Sequence, residues 1–305
     1  MNIFIKFSLL ALFTVVSCGS APEANQQTAS LADDFGQYWY QGKAELTSYV
    51  LEQARYGEIH QGHAVLVFVT EPFSKRKQVK LDYAQQAGND AVSVLKLNMT
   101  KKFNTGVYPY SMMSSVFTPI ERNQYPNTLK VTTSVQEWCG HTFTQLNLKE
   151  KKYDVLLRSY FESEGDVETT LDKALLEDEV WSLIRLNPNA LPTGKVKLIP
   201  GSMYQRLKHT DFKVETAEAS LKDHATNSAL RTYTMRYPNH TLAIHFNRAF
   251  PHEIEGWEEE MTSGFGSNAR TLVTRATKNK SLLLDYWSKN GVADARYRQA
   301  LGLPQ

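Results

Sequence analysis

The sequence predicts a mainly β protein: an antiparallel meander forming a curved sheet or barrel around a central helix, with a short C-terminal helix. Three observations point there. Apolar and polar residues alternate with period 2 in short runs from residue 35 onward. Most of these runs are separated by Gly, Pro or Asn, the residues that turn a chain. A single long segment, residues 169–186, repeats its apolar residues at helical spacing. With 305 residues, 42% hydrophobic and 22% charged, the chain can bury a substantial core, and wholesale disorder is excluded.

Residues 1–17 read as a signal peptide. Lys6 supplies the positive charge, and the apolar stretch 7–16 is too short to remain as a membrane span. The junction Val15-Val16-Ser17-Cys18-Gly19 has an aliphatic residue at −3 and small residues on both sides of the cysteine, the lipobox pattern of bacterial lipoproteins. Cys18 would carry acyl chains there, whose many buried methylenes make an effectively permanent membrane anchor. Ordinary secretion with an incidental Cys18 is the alternative. Residues 18–34 are small and polar, a flexible tether. No acidic residue directly follows Cys18, which favours the outer membrane with the domain facing the periplasm; the inner membrane and the cell surface are the other options.

Residues 35–305 then form a single β-rich domain, with two halves split near 170–190 as the alternative. The run 64–69 is continuously apolar and rich in β-branched residues, a strand buried on both faces or nearly so. Runs 91–97, 129–135, 142–148 and 153–161 follow, then 196–199, 212–219, 230–237, 241–246, 254–260 and 271–277. Pro238-Asn239-His240, and Asn147 with residues 149–152, read as hairpin loops. The helix at 169–186 carries Leu171, Leu175, Leu176, Val180, Leu183 and Ile184 on one stripe. Its acidic residues lie early, Arg185 lies late, and Pro188 stops it. Shorter helices are expected at 280–288 and 293–301.

The formal charge of +2, from 34 basic and 32 acidic side chains, gives no electrostatic footprint for nucleic acid. Two cysteines cannot build a disulfide framework. Trp138-Cys139-Gly140-His141 matches the opening of a Trp-Cys-Gly-His-Cys redox motif. Its fifth position is Thr142 and a strand follows, so both the resolving thiol and the helix dipole are missing. Cys139 is then either a small buried thiol at a tight Gly140 turn or, with His141, the catalytic pair of a periplasmic hydrolase or transferase.

No metal or cofactor site is expected. His60 and His63 flank what reads as a hairpin tip, His240 and His245 point to opposite faces of a strand, and the zinc-protease-like His252-Glu253 has Gly256 where a ligand is needed. Glu258-Glu259-Glu260 reads as a solvated strand end, and Gly264-Phe265-Gly266-Ser267 as a hairpin loop. The aromatic groups Phe35, Tyr38, Trp39 and Tyr40, and Tyr108, Tyr110 and Phe117 with Met112 and Met113, are core residues or the lining of a pocket for an apolar ligand or sugar.

Several stretches carry a family resemblance. One group is Trp39-Tyr40-Gln41-Gly42-Lys43-Ala44-Glu45, residues 51–58 and Val69-Thr70-Glu71-Pro72-Phe73. Residues 101–111, residues 134–141, residues 181–194 and Glu255-Gly256-Trp257 complete it. Together they resemble a family of Gram-negative envelope lipoproteins with no established activity, over most of residues 35–290. The leading reading of the sequence is an anchored binding or structural module for an apolar ligand or an envelope protein partner. Members of that family often carry the label "septum formation inhibitor Maf", which would imply a nucleotide pyrophosphatase. That chemistry needs an Ala-Ser-x-Ser-Pro-Arg-type phosphate loop, and Thr28-Ala29-Ser30-Leu31 lacks the arginine. No pyrophosphatase residue carries over.

Overall fold

Fifteen strands make one sheet in the computed structural model, which describes residues 34–304 together with Met1 and Leu31. The expected signal peptide, Cys18 and most of the tether lie outside the described residues. The first eight strands are β1 (Ala44–Arg55), β2 (Glu58–Ser74), β3 (Ala91–Thr105), β4 (Tyr108–Pro119), β5 (Lys130–Glu137), β6 (Gly140–Lys149), β7 (Lys152–Arg158) and β8 (Val167–Asp172). The remainder are β9 (Leu175–Leu176), β10 (Gly194–Ile199), β11 (Glu215–Asp223), β12 (Leu230–Arg236), β13 (His240–Asn247), β14 (Ile254–Ser263) and β15 (Arg270–Leu284). Four helices accompany them: α1 (Phe35–Trp39), α2 (Glu177–Leu186), α3 (Ser202–Lys208) and α4 (Ala295–Ala300).

The sheet order runs from β8 back through β1, then from β15 back to β9. Two antiparallel meanders are thus joined where β1 pairs with β15, Ala44 opposite Leu284. The pairing is antiparallel throughout except between β9 and β10. The sheet is curved and does not close. Its two edges, β8 and β9, are nevertheless consecutive in the chain, with Lys173 and Ala174 alone between them. Of the two expected forms, curved sheet or barrel, the open sheet is the one adopted.

Alternation places the strands because every second side chain turns into the curve. In β13 buried and half-buried residues alternate without interruption from His240 to Asn247, and His240 and His245 do lie on opposite faces. β1 breaks that pattern because it is buried on both faces: Tyr49 and Leu51 join the main core, while Ala44 and Leu46 pack under Leu301 near the C-terminus. Its hairpin to β2 turns at Tyr56 and Gly57, both at positive φ. A Cβ on Gly57 would lie 2.4 Å from the Asn268 carbonyl oxygen. His60 and His63 therefore sit within β2 and not at the expected loop tip.

The expected helix over 169–186 is realised in its second half alone. Residues 167–172 form β8, where Leu171 pairs opposite Tyr153, and the β-branched Thr169 and Thr170 suit an edge strand. The helix starts at Glu177, where three successive acidic residues occupy the positive end of its dipole and Glu179 accepts from the Leu176 amide at 3.1 Å. Val180, Trp181 and Ile184 enter the main core, which places α2 inside the curve. The expected helix at 280–288 is instead the end of β15 followed by a single 3-10 turn, because Leu282 and Leu284 pair with Leu46 and Ala44. The helix expected at 293–301 is α4.

Arg185 ties α2 to β1. Its guanidinium grips Glu45 with two parallel hydrogen bonds, Nη2 to Oε2 at 2.6 Å and Nη1 to Oε1, while Nε donates to the Pro251 carbonyl at 2.8 Å. The Tyr38 hydroxyl donates to the same carboxylate. The rings of Trp39 and Phe68 lie 5.0 and 4.9 Å from the guanidinium carbon. Burial pushes the Glu45 carboxyl up, but Arg185 outweighs it and holds the group below the usual carboxylate range.

Candidate ligand-binding site

Where the sheet fails to close, a cavity of about 270 Å³ opens between the edge strand β8 and the end of α3. Its apolar wall comes from Val155 and Leu157 of β7, Val167 of β8 and Phe212 beyond α3. Strand register brings these together: Leu157 pairs with Val167 and Val155 with Thr169, so all four side chains share a face. The volume is at the small end of ligand pockets, which span about 300–1,000 Å³.

The polar end is built by α3. The helix stops at His209, which takes the left-handed conformation at φ 54°. That turn swings the imidazole onto Glu164, whose Oε1 it contacts through Nδ1. Arg206 Nη1 lies 3.5 Å from the same carboxylate oxygen, and its guanidinium sits 4.4 Å over the Phe161 ring. Burial, reinforced by the Arg206 charge, pushes His209 below the ordinary imidazole value despite Glu164, so the ring is neutral at pH 7 and donates from Nδ1. Ser163 also lines the cavity but makes no hydrogen bond to His209, and Arg206 occupies the space beside Nε2 at 3.3 Å.

Two polar atoms at this end are buried without partners, Gln205 Oε1 and Arg206 Nε. Gln205 spends its amide nitrogen on the Pro200 carbonyl at 3.0 Å. An acceptor and a donor are thus both left over, and each unpaired buried group costs about 1–3 kcal/mol.

The residues singled out from the sequence lie elsewhere. Trp138 and Cys139 form the turn between β5 and β6. Cys139 is exposed, which corrects the expectation of a buried thiol; a tight turn leaves its side chain nothing to pack under. Its amide donates to Glu137 Oε2 at 2.6 Å, and hydrogen bonding of the thiol to the same carboxylate pushes the thiol above its ordinary value. His141, also exposed, stands on β6 opposite Gln136. Gly140 is required because a Cβ there would meet the Tyr160 ring at 2.4 Å.

Phe35, Trp39, Tyr110 and Met112 are core residues, Phe117 stacks on Phe73 at 4.7 Å, and none of the singled-out aromatics lines the cavity. Glu259 corrects the solvated-end reading of residues 258–260: strand alternation turns it inward, where it is 5% exposed. The cavity residues went unread because they come from β6, β7, β8, α3 and two loops, with no local spacing between them. Arg206 and His209, three apart near a helix end, are their sole short-range signal.

No family model matches this chain, and no curated protein does. A solved structure that it resembles is a beta-barrel-like protein of domain of unknown function DUF1849 from Brucella abortus. The two share 7% sequence identity at a TM-score of 0.44, over 79% of this chain and 97% of that one.

Proposed function

We propose that this chain is a binding module of the bacterial cell envelope, held at a membrane by lipid on Cys18, that takes a small amphiphile into the seam cavity. The observation that carries the reading is the pairing of an apolar wall with a polar end built by Glu164, Arg206 and His209. A ligand with a short acyl body and a polar head would bury the one and meet the other. The lipobox around Cys18 supports the anchor, and the absence of an acidic residue directly after it supports the outer membrane, with the domain facing the periplasm.

The test is thermal. A ligand bound to the native state alone at a hundred times its Kd stabilises it by about 2.7 kcal/mol, a shift of several degrees. Medium-chain fatty acids, alcohols and amides should raise the Tm of the full chain by that order. Leu157→Trp, which fills the cavity from β7, should abolish the rise while leaving the unliganded Tm nearly unchanged. A Tm insensitive to all three ligand classes, with no amphiphile extracted from the purified protein, would sink the proposal.

A further inference from the structure

A second constellation lies apart from the cavity. Glu177 at the start of α2, His240 at the start of β13 and Glu259 on β14 bring one ligand atom each within 4.8 Å of one another. None is more than 5% exposed. His240 Nε2 stands 3.4 Å from Glu177 Oε2. That is close to the separation of about 3.3 Å expected between two ligands of a tetrahedral ion with bonds near 2.0 Å. The two form an ion pair that falls short of hydrogen-bond geometry, and the Tyr237 hydroxyl and Gly201 amide also face the Glu177 carboxylate.

The surroundings favour a cation. The His240 ring lies parallel to the rings of Tyr204 and Tyr237, at 3.9 and 4.4 Å and 14° in each case, which fixes the direction of Nε2. Glu177 stands beside the half-buried Asp178, which accepts from the Ser202 amide and hydroxyl at 3.0 and 3.1 Å. Against the Glu177 and Glu259 carboxylates stands Lys101, whose Nζ is 3.7 Å from Glu259 Oε2. Tyr204, half-buried on α3, is the cover between the cluster and solvent.

We propose that Glu177, His240 and Glu259 bind one divalent transition-metal ion, with zinc the ion best matched to one imidazole and two carboxylates. The donor set has no sulfur, so it does not select soft copper(I), and its imidazole disfavours calcium and magnesium. The ion would join the three ligand atoms and offset the carboxylate charge that Lys101 leaves over.

The experiment measures metal directly. Full-length protein, stripped with a chelator and dialysed against micromolar zinc, is expected to retain about one zinc per chain by elemental mass spectrometry and to gain a Tm that chelator reverses. His240→Gln and Glu259→Gln should each lose both effects, while His141→Ala, a distant exposed histidine, should keep them. A folded wild-type chain that takes up neither zinc nor manganese would overturn the site and leave His240 as the buried partner of Glu177. Uptake unaffected by the two ligand variants would overturn it equally. Should both variants fail to fold, cobalt substitution of the wild-type chain decides: visible bands of four-coordinate nitrogen and oxygen ligation with one bound imidazole are expected, and six-coordinate solvent-like bands refute the assignment.

Discussion

Replacing Arg185 with Met tests the join between α2 and β1. The side chain is fully buried, and Glu45 opposite it is 1% exposed. Arg185→Met leaves the carboxylate in the interior with the Tyr38 hydroxyl as its remaining side-chain partner. Stripping one partner from such a pair costs about 3–5 kcal/mol, because the orphaned charge keeps its desolvation penalty. Methionine refills much of the space and contacts Trp39 and Phe68 favourably, so packing loss is a minor share.

The double variant Glu45→Gln/Arg185→Met removes the charge as well and should recover most of that loss. Urea unfolding followed by the fluorescence of the buried Trp39, Trp181 and Trp257 reads both, with the slope unchanged. The pH dependence has a sign that distinguishes the two states of Glu45. In the wild type its carboxyl is held below the ordinary 4.5, so its contribution is present above that value and is lost as pH falls through the lower folded value. In Arg185→Met, burial without the cation raises the group, so that variant should instead gain stability relative to wild type on acidification. A single variant losing less than about 1 kcal/mol, or a double variant as unstable as the summed singles, would refute the account.

Three further predictions are simpler. Glu137 raises the exposed Cys139 thiol by hydrogen bonding, so iodoacetamide should react slowly at pH 8 and severalfold faster in Glu137→Gln; equal rates would refute the hydrogen bond. His209 has a folded value below 6.5, so its contribution to stability is full above that pH and lost as pH falls through the lower value. His209→Gln should flatten that limb between pH 7 and 5, as followed by thermal unfolding. Labelled palmitate should be incorporated into the wild-type chain and absent from Cys18→Ser, which accumulates as unprocessed precursor; equal labelling would remove the anchor from the proposed function.

The strands with one wet face were legible. β3, β5, β6 and β13 alternate because one side meets water and the other the core. The strands that broke the rule did so for opposite reasons. β1 has no wet face, and β8 is an exposed edge strand whose Leu171 fell by coincidence on the stripe of the helix that follows. The site was less legible still. Glu164 and His209 meet because β8, β9 and α2 intervene and return the chain, and Glu177, His240 and Glu259 meet through register across β13 and β14. Such contacts have no sequence period. The turn motif at Trp138 to His141 drew notice because its spacing was local, but its glycine is explained by the Tyr160 ring.

The placement of the seam has a consequence for the order of the chain. Because β8 and β9 are consecutive while β1 and β15 pair, the strands form a ring of neighbours interrupted once. The contact joining the ring's ends in sequence, Glu45 opposite Leu283, closes a loop of roughly 240 residues. That costs about 3 kcal/mol more in chain entropy than closing one of ten residues. The end of the chain compensates locally, since the Leu301 carbonyl accepts from the Ser48 hydroxyl at 2.5 Å and fastens the last segment over β1. A circular permutant opened between Lys173 and Ala174, with its old ends linked, would keep every strand neighbour and turn the most distant pairing in the molecule into a local one.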